Sequence, residues 1–253
     1  MNHIYVAFYT RNTPYEKEIE KLIESLEKFN LEYIIKDYES RKDWLKNIHY
    51  KPECILDVMN DFPNKNIVYT DADSVIKQIP KLFFNTKADI MAHIRENRRN
   101  DKLFINGEIL SGTLYFANNE RAIRFVKEWV IASNKNIGEI TEQHLLQMMF
   151  NNERHIKLGI EFEPLPAEYC CIPVLMNNIV PVIEHHQLSR TTRKWFNIKS
   201  QITVPKKKVF ELKNIIKKSI IKKEVTKQPF IRKFTKQPFV RRFIKPRFIR
   251  RFS

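Results

Sequence analysis

The spacing of hydrophobic residues near the start of the chain predicts a strand, a helix and a second strand. Residues 3–9, HIYVAFY, are almost continuously apolar, which is typical of a strand buried on both faces. Residues 31–38, LEYIIKDY, form a second such run. Between them, apolar residues recur every three or four positions, as one face of a helix requires: Ile19, Leu22, Ile23, Leu26 and Phe29. A strand–helix–strand unit predicts a parallel sheet with a right-handed crossover.

The start of this helix carries a capping-box pattern. We expect Thr13 as the N-cap and Pro14 at the first helical position. Glu16 follows Thr13 by three residues, the spacing at which a glutamate side chain reaches back to the N-cap backbone.

The same alternation of elements continues to about residue 190. We expect helices over residues 52–63, 119–133 and 141–152, and strands over 66–70, 88–94, 112–118 and in NIVPVIEHHQ at 178–187. The sequence therefore predicts an α/β fold with a mostly parallel sheet flanked by helices.

Two aspartates, Asp71 and Asp73, directly follow the apolar strand NIVYT at 66–70. The carboxyl ends of parallel strands form the edge at which open α/β sheets bind ligands. Two carboxylates there can converge on Mg²⁺ or Mn²⁺, which also takes phosphate oxygens. Aspartates also favour turns by bonding to their own backbone, so the spacing alone leaves an ordinary turn as the alternative.

Several common enzyme motifs are missing from the chain. Its four glycines form neither the G-x-G-x-x-G of nicotinamide-binding proteins nor the P-loop pattern. The sequence also lacks the G-x-S-x-G and H-E-x-x-H patterns of serine hydrolases and zinc peptidases. These observations argue against four large classes of enzyme.

Composition indicates a globular protein in a reducing compartment. With 43% hydrophobic residues in 253, the chain can form a packed core. Cys54, Cys170 and Cys171 make neither an even disulfide set nor a C-x-x-C pair. Because no apolar stretch approaches the ~18 residues of a membrane span, we expect a cytoplasmic protein.

The net charge of +16 lies entirely in the last part of the chain. Lys/Arg and Asp/Glu are balanced at 27 each before residue 205, whereas residues 205–253 carry 18 Lys/Arg against only Glu211 and Glu224. Within this part, residues 226–252 comprise three nine-residue repeats, TKQPFIRKF, TKQPFVRRF and IKPRFIRRF. We therefore divide the chain into an α/β domain, 1–200, and a basic, Phe-rich tail, 201–253.

Cations interleaved with phenylalanine fit an anionic membrane surface. The same composition fits nucleic acid, with cations on phosphates and rings on bases. A disordered tail that only keeps the protein in solution is a third possibility, although its seven phenylalanines argue against it. We favour the membrane, which would place the protein on its cytoplasmic face. The neutral first domain lacks the basic footprint of a nucleic-acid enzyme.

Several segments together resemble glycosyltransferases of the GT-A fold, the nucleotide-diphospho-sugar transferases. The segments that carry the resemblance are IYVAFYT, RKDWLKNIHYKPECIL, IVYTDADSVI, GEILSGTLYFAN, EQHLL, PLPAEY and PVIEHHQLSR, which span roughly residues 3–195. The resemblance implies a GT-A fold, a Rossmann-like mixed sheet, and a nucleotide-diphosphate sugar as donor. It also implies a divalent cation, Mn²⁺ or Mg²⁺.

The resemblance assigns roles to particular residues. Asp71 and Asp73 match the D-x-D that holds the metal, and the first aspartate often contacts the donor. His185 matches the histidine that completes the metal shell, with the adjacent His186 as the alternative. The remaining matches are the nucleotide-binding Phe8, Tyr9 and Thr10, the sugar-lining Ser111 and Gly112, the diphosphate-binding Lys51, Ser189 and Arg190, and the pair Glu142 and Gln143 near the transferred sugar.

Three of these assignments have a structural alternative. Phe8 and Tyr9 also suit the core of a sheet, and Glu142 also suits a helix start, where the macrodipole favours a carboxylate.

These residues predict a metal-dependent glycosyltransferase that acts on the hydroxyl of a glycan or a lipid-linked acceptor. If the reaction inverts the sugar configuration, Glu142 is the candidate base, although relatives of this appearance are often retaining. One alternative is a nucleic-acid- or membrane-binding protein with an inactive α/β domain. A nucleotidyltransferase that uses the same aspartates is another.

Overall fold

The computed structural model describes residues 2–96 and 107–191, which form a mixed α/β fold. Its strands are β1 His3–Thr10, β2 Tyr33–Tyr38, β3 Asn66–Thr70, β4 Ser74–Ile76, β5 Ile90–Arg95, β6 Glu108–Phe116, β7 Phe162–Pro164 and β8 Ile183–His185. Its helices are α1 Tyr15–Lys28, α2 Trp44–Asn47, α3 Tyr50–Asp61, α4 Glu120–Asn134, α5 Glu142–Asn151, α6 Arg154–Lys157 and α7 Leu188–Thr191. Short 3₁₀ turns cover Lys81–Phe84 and Ala167–Cys170.

Six strands form the main sheet in the order β2-β1-β3-β6-β5-β7. Strand β1 pairs in parallel with β2 and β3, and β5 pairs in parallel with β7. Strand β6 is antiparallel to both of its neighbours, so it runs against the other five. Strands β4 and β8 form a separate antiparallel pair. The predicted strand–helix–strand opening and the mostly parallel sheet are confirmed.

Helices cover both faces of the main sheet. Tyr5 and Ala7 of β1 join one buried cluster with Ile19 and Leu22 of α1. The alternate β1 residues point to the opposite face, where α3 contacts β1, β3 and α4. Fully burying one such aliphatic side chain contributes roughly 1.5–3 kcal/mol, so these two layers fix the sheet.

The predicted capping box is wrong. Helix α1 begins at Tyr15, one residue later than expected, and Pro14 occupies the N-cap. The Thr13 hydroxyl donates instead to the carbonyl of Thr10, at 2.6 Å. The Glu16 carboxylate accepts from the backbone N–H of Asn12, at 2.9 Å. The two side chains therefore tie the helix start to the end of β1 rather than to each other.

The boundaries of three later elements also differ from the expectation. Helix α3 begins at Tyr50 and β6 at Glu108, both earlier than predicted. The expected strand over 178–187 is only three residues long, because Pro181 has no N–H to donate. The segment before it closes into turns, with the Leu175 N–H bonded to the Ile172 carbonyl at 2.9 Å.

The tail predicted from residue 201, with its repeats at 226–252, lies outside the described residues. Within residues 2–96 and 107–191, none of the helices has the length and apolar character needed to cross a membrane.

His3 makes the stability of the fold sensitive to acid. Its imidazole is buried on β1, stacks on Phe84 at 5.3 Å, and neither ring nitrogen has a hydrogen-bond partner among the described residues. Burial lowers the pKa of His3 to about 4. Between pH 6.5 and 4 the unfolded chain therefore binds a proton that the folded protein does not, and the fold loses stability as pH falls.

We expect His3→Phe to weaken this dependence by about 1 kcal/mol per pH unit between pH 6 and 4.5. The measurement is the free energy of unfolding in urea at several pH values, for both proteins. If the free energy of unfolding had the same pH dependence in both proteins, His3 would take up its proton as readily in the folded protein as in the unfolded chain.

Candidate active site

The two aspartates lie in a tight turn that joins β3 to β4. The Asp71 N–H donates to the Gly112 carbonyl at 2.9 Å, and the Ser74 N–H donates back to the Asp71 carbonyl at 3.0 Å. The hydroxyls of Thr70 and Ser74 are bonded at 2.7 Å across the turn. This turn places both carboxylates at the carboxyl end of β3, as the sequence predicted.

Strand β8 brings His185 to the same turn. Because Ser74 is paired with His185 across the two strands, one ligand atom from each of Asp71, Asp73 and His185 falls within a 4.8 Å cluster. Nε2 of His185 is 2.8 Å from the Thr113 hydroxyl. A hydrogen bond at one ring nitrogen fixes the imidazole and leaves the other nitrogen for a metal.

His186 faces away from this cluster. Its Nε2 lies 3.0 Å from a carboxylate oxygen of Glu184, and its Nδ1 lies 3.6 Å from Glu18. Its backbone N–H donates to the Asp73 carbonyl at 2.9 Å. Of the two histidines that the sequence left open, the geometry therefore places His185 with the aspartates.

Gly112 lies beside these side chains, where a larger residue would crowd His185. A Cβ at this position would lie 3.0 Å from Cε1 and 3.1 Å from Nδ1 of His185, and 3.4 Å from Oδ2 of Asp71. The same Cβ position is therefore close to both His185 and Asp71. The missing side chain thus leaves room for the cluster.

A buried cation stands beside the cluster. Nζ of Lys51, from α3, lies 3.0 Å from Oδ1 of Asp71 and 2.8 Å from Oε1 of Glu142. It also lies 3.1 Å from the carbonyl and 3.0 Å from the hydroxyl of Ser111. An ammonium has three protons to donate, so these oxygens use its full capacity.

The pKa shifts of this network follow from burial and from the ion pairs. Burial alone would lower the pKa of Lys51, but Asp71 and Glu142 raise it above its usual value. Burial opposes ionisation of Glu142, but Lys51 holds the pKa of that carboxyl below its usual value. Glu142 is therefore ionised, and the lowered pKa makes it a weaker base.

The pKa values of Asp73 and His185 shift in the opposite directions to those of Glu142 and Lys51. Burial, with the neighbouring Asp71 carboxylate, raises the pKa of Asp73 to about 6. One oxygen of Asp73 accepts from the Leu188 N–H at 2.6 Å. Burial lowers the pKa of His185 to about 3, which keeps the ring in the neutral form that ligates metals.

Gln143 links the cluster to the ends of β5 and β6. Its carbonyl oxygen accepts from the Ser111 N–H at 3.2 Å, and its amide nitrogen donates to Oε1 of Glu108 at 3.2 Å. The other Glu108 oxygen pairs with Arg95. Four polar side chains thus form a continuous wall from Ser111 to Arg95.

The end of β1 forms the opposite side of the site. Phe8 contacts the rings of Tyr38 and Tyr50 with centroids 5.8 and 6.3 Å apart. Phe8 and Tyr9 are only partly buried, and Tyr9 also packs against the buried cluster between β1 and α1. The buried Thr10 hydroxyl accepts from the Asn47 amide at 3.4 Å.

All the site residues predicted from the sequence line one pocket of about 300 Å³. They are Phe8, Tyr9, Thr10, Lys51, Asp71, Asp73, Ser111, Gly112, Glu142, Gln143, His185, Ser189 and Arg190. Positions up to 182 residues apart in the chain therefore converge on one cavity.

Comparison with known proteins assigns the family. Residues 33–203, more than half of the chain, match the nucleotide-diphospho-sugar transferases. The chain belongs to this family. The protein is thus a glycosyltransferase. Comparison with curated protein sequences gave no significant match.

Solved structures show the same fold. A glycosyltransferase involved in glycosylation of the major capsid of PBCV-1 has 14% identity and a TM-score of 0.56, covering 76% of this chain and 98% of its own. The apo-form glycosyltransferase GlyE of Streptococcus pneumoniae TIGR4 has 13% identity and a TM-score of 0.50, covering 87% of this chain. This chain spans 64% of the length of GlyE. The predicted GT-A fold is confirmed.

The sequence reasoning missed four residues around the site of this transferase. Thr113 holds His185, Tyr69 donates to Asp71 at 3.0 Å, and Glu108 and Arg95 complete the polar wall. A signal existed for two of them, since Thr113 lies two residues from Ser111 and Tyr69 two residues from Asp71. Glu108 and Arg95 come together only through the pairing of β5 with β6.

We expect Lys51→Met to destabilise the transferase by about 3 kcal/mol, because it leaves the buried Glu142 carboxylate and the partly buried Asp71 carboxylate without their cation. Adding Glu142→Gln should recover part of this loss. The measurement is urea unfolding of both variants and of the wild type.

Lys36→Met is the matched control, because Lys36 pairs with Asp61 at 3.3 Å on the exposed surface. An exposed pair contributes about 0–1 kcal/mol. An equal loss of stability in the two lysine variants would contradict the role assigned to Lys51.

Proposed function

We propose that this glycosyltransferase is metal-dependent and that Asp71, Asp73 and His185 hold the cation. The observation that carries the proposal is the convergence of these three side chains within 4.8 Å in the pocket. The donor would be a nucleotide-diphosphate sugar, with its base and ribose against Phe8 and Thr10.

The residues present fit a divalent cation. Gly112 leaves a space that a single Cβ would partly fill, and a ring nitrogen of the neutral His185 lies within 4.8 Å of an oxygen of each aspartate. Carboxylates suit Mg²⁺ and Mn²⁺ alike, whereas imidazole suits transition metals better than Mg²⁺. The mixed set of two carboxylates and one imidazole therefore favours Mn²⁺.

A bound cation supplies positive charge to the diphosphate that leaves when the bond to the sugar breaks. The chain itself contributes the arrangement of the groups. Lys51 holds the Asp71 carboxylate in place, and the Leu188 N–H holds that of Asp73. Arg190 and Ser189 line the same pocket from α7, and a guanidinium there can bind phosphate oxygens bidentately.

The side of the pocket near the transferred sugar is formed by Glu142 and Gln143. Both carboxylate and amide are already held by Ser111, so their positions are set before a sugar enters. A fixed amide and a fixed carboxylate can orient sugar hydroxyls at little entropic cost.

We also propose that the acceptor is a hydroxyl of a glycan or a lipid-linked saccharide, and that the tail holds the enzyme at an anionic membrane. The support is the tail composition, 18 Lys/Arg and seven Phe between residues 205 and 253. The balanced charge of residues 1–204 is the observation that favours this over nucleic acid.

We expect Asp73→Asn to abolish nucleotide binding that depends on Mn²⁺. The measurement is thermal unfolding of the wild type and the variant with a panel of nucleoside diphosphates, each with and without Mn²⁺. A ligand that binds only the folded protein stabilises it and so raises its melting temperature. At a ligand concentration of 100 times Kd, the gain in the free energy of unfolding is about 2.7 kcal/mol.

Asp57→Asn is the control, because Asp57 is an exposed aspartate on α3. The wild type and this control should gain stability only when nucleotide and Mn²⁺ are both present. An equal gain in Asp73→Asn would refute the metal assignment, and no gain in any protein would refute the proposed donor class.

A further inference from the structure

Two segments beside the pocket form one surface, which we call the loop surface: residues 77–87 and 172–182. The Lys77 N–H donates to the Val182 carbonyl at 2.9 Å, and the Gln78 amide donates to the Pro181 carbonyl at 2.9 Å. The Leu82 N–H donates to the Tyr169 hydroxyl at 3.1 Å. These bonds fasten the segments to each other and to the 3₁₀ turn at 167–170.

The loop surface exposes aliphatic side chains. Val174 is 80% exposed, Val180 75% and Ile79 45%. Leu175 and Phe84 are each exposed by more than a third. No charged residue occurs between Glu168 and Glu184. Five exposed large apolar side chains in two joined segments are a feature of surfaces that bind a partner or a membrane.

The charged residues of the loop surface are all cationic. Lys77, Lys81 and Lys87 are exposed, and the chain has no Asp or Glu between Asp73 and Asp89. Lys77 lies 3.5 Å from Glu184. Lys81 and Lys87 form no ion pair with another described residue. Among the described residues, the surface therefore combines exposed apolar groups with two lysines, Lys81 and Lys87, that have no carboxylate partner.

We propose that the loop surface is a second membrane contact of this enzyme, which binds an anionic lipid bilayer. Valine and isoleucine side chains enter the boundary between headgroups and acyl chains, and the lysines face lipid phosphates. This inference rests on the membrane association proposed above, and it adds a contact within the folded domain to that of the tail.

The position of the loop surface relates the bilayer to the active site. Asp73 immediately precedes β4, and His185 ends β8, so these two metal-site residues stand at one end of the β4–β8 pair. Lys77 and Val182 stand at its other end. A strand of three residues is about 10 Å long, which brings the loop surface close to the metal site.

The apolar segment also reaches the pocket directly. Ile172 lines the pocket and packs in one cluster with Leu110 and Cys170. The exposed Val174 follows two residues later. If the apolar anchor of an acceptor lay in the bilayer, the hydroxyl groups of that acceptor would be near the metal site. The loop surface therefore favours a lipid-linked acceptor as the substrate class.

The test uses the full chain and vesicles of neutral lipid with and without an anionic phospholipid. We expect Val174→Ser with Val180→Ser to weaken binding to anionic vesicles roughly tenfold. Lys81→Gln with Lys87→Gln should weaken it by about fivefold for each lysine removed. The measurement is vesicle sedimentation over a range of lipid concentrations.

The matched controls carry the same changes elsewhere on the domain. Ile131→Ser with Ile156→Ser removes two exposed aliphatic side chains, and Lys127→Gln with Lys135→Gln removes two exposed lysines. Neither control should change vesicle binding. A fluorophore sensitive to polarity, attached at Val174→Cys, should shift to shorter wavelength with anionic vesicles, whereas one at Ile156→Cys should not.

Unchanged binding in the Val174 and Val180 variant, without a fluorescence shift, would overturn the proposal and leave the tail as the membrane contact. Failure of the wild type to bind vesicles would overturn both membrane contacts. Mn²⁺-dependent nucleotide binding is measured on the same proteins. If nucleotide binding persists in a protein that no longer binds vesicles, the proposed catalytic function stands even if the loop surface does not bind a membrane.

Discussion

The buried ion pairs of Lys51 are the constraint on which the site depends. Its ammonium, carried by α3, contacts a carboxylate from the β3–β4 turn and another from the start of α5. A buried charge pair contributes little net stability, but removing one partner is costly because the other is left unpaired. These ion pairs therefore join α3, the β3–β4 turn and the start of α5 at the site.

The location of the site could be predicted from the sequence, but its internal pairings could not. Asp71 and Asp73 follow an apolar strand, and that position alone places them at the ligand-binding edge of the sheet. The resemblance of Lys51 to diphosphate-binding residues does not reveal that its ammonium already contacts Asp71, Glu142 and Ser111. That contact depends on the distance between α3 and β6, which residue spacing does not encode.

Local hydrogen bonds explain why element boundaries were harder to predict than elements. Thr13 and Glu16 have the spacing of a capping box, yet each bonds to the residues that leave β1. The position of the end of β1 in the fold thus determines the hydrogen-bond partners of Thr13 and Glu16. In the same way, β8 is short because Pro181 has no N–H to donate and the chain before it forms turns. Val180, which the apolar pattern placed in the strand, is exposed instead.

Charge balance links the metal to the nucleotide. Asp71, Asp73 and Glu142 bring three carboxylates into a small volume, and Lys51 forms ion pairs with two of them, Asp71 and Glu142. A nucleotide diphosphate that approached this arrangement alone would bring negative charge toward negative charge. The divalent cation proposed for Asp71 and Asp73 would reverse the sign of the local field at short range. The proposed cation would therefore serve donor binding as well as departure of the diphosphate, because it would offset the charge of the carboxylates in both.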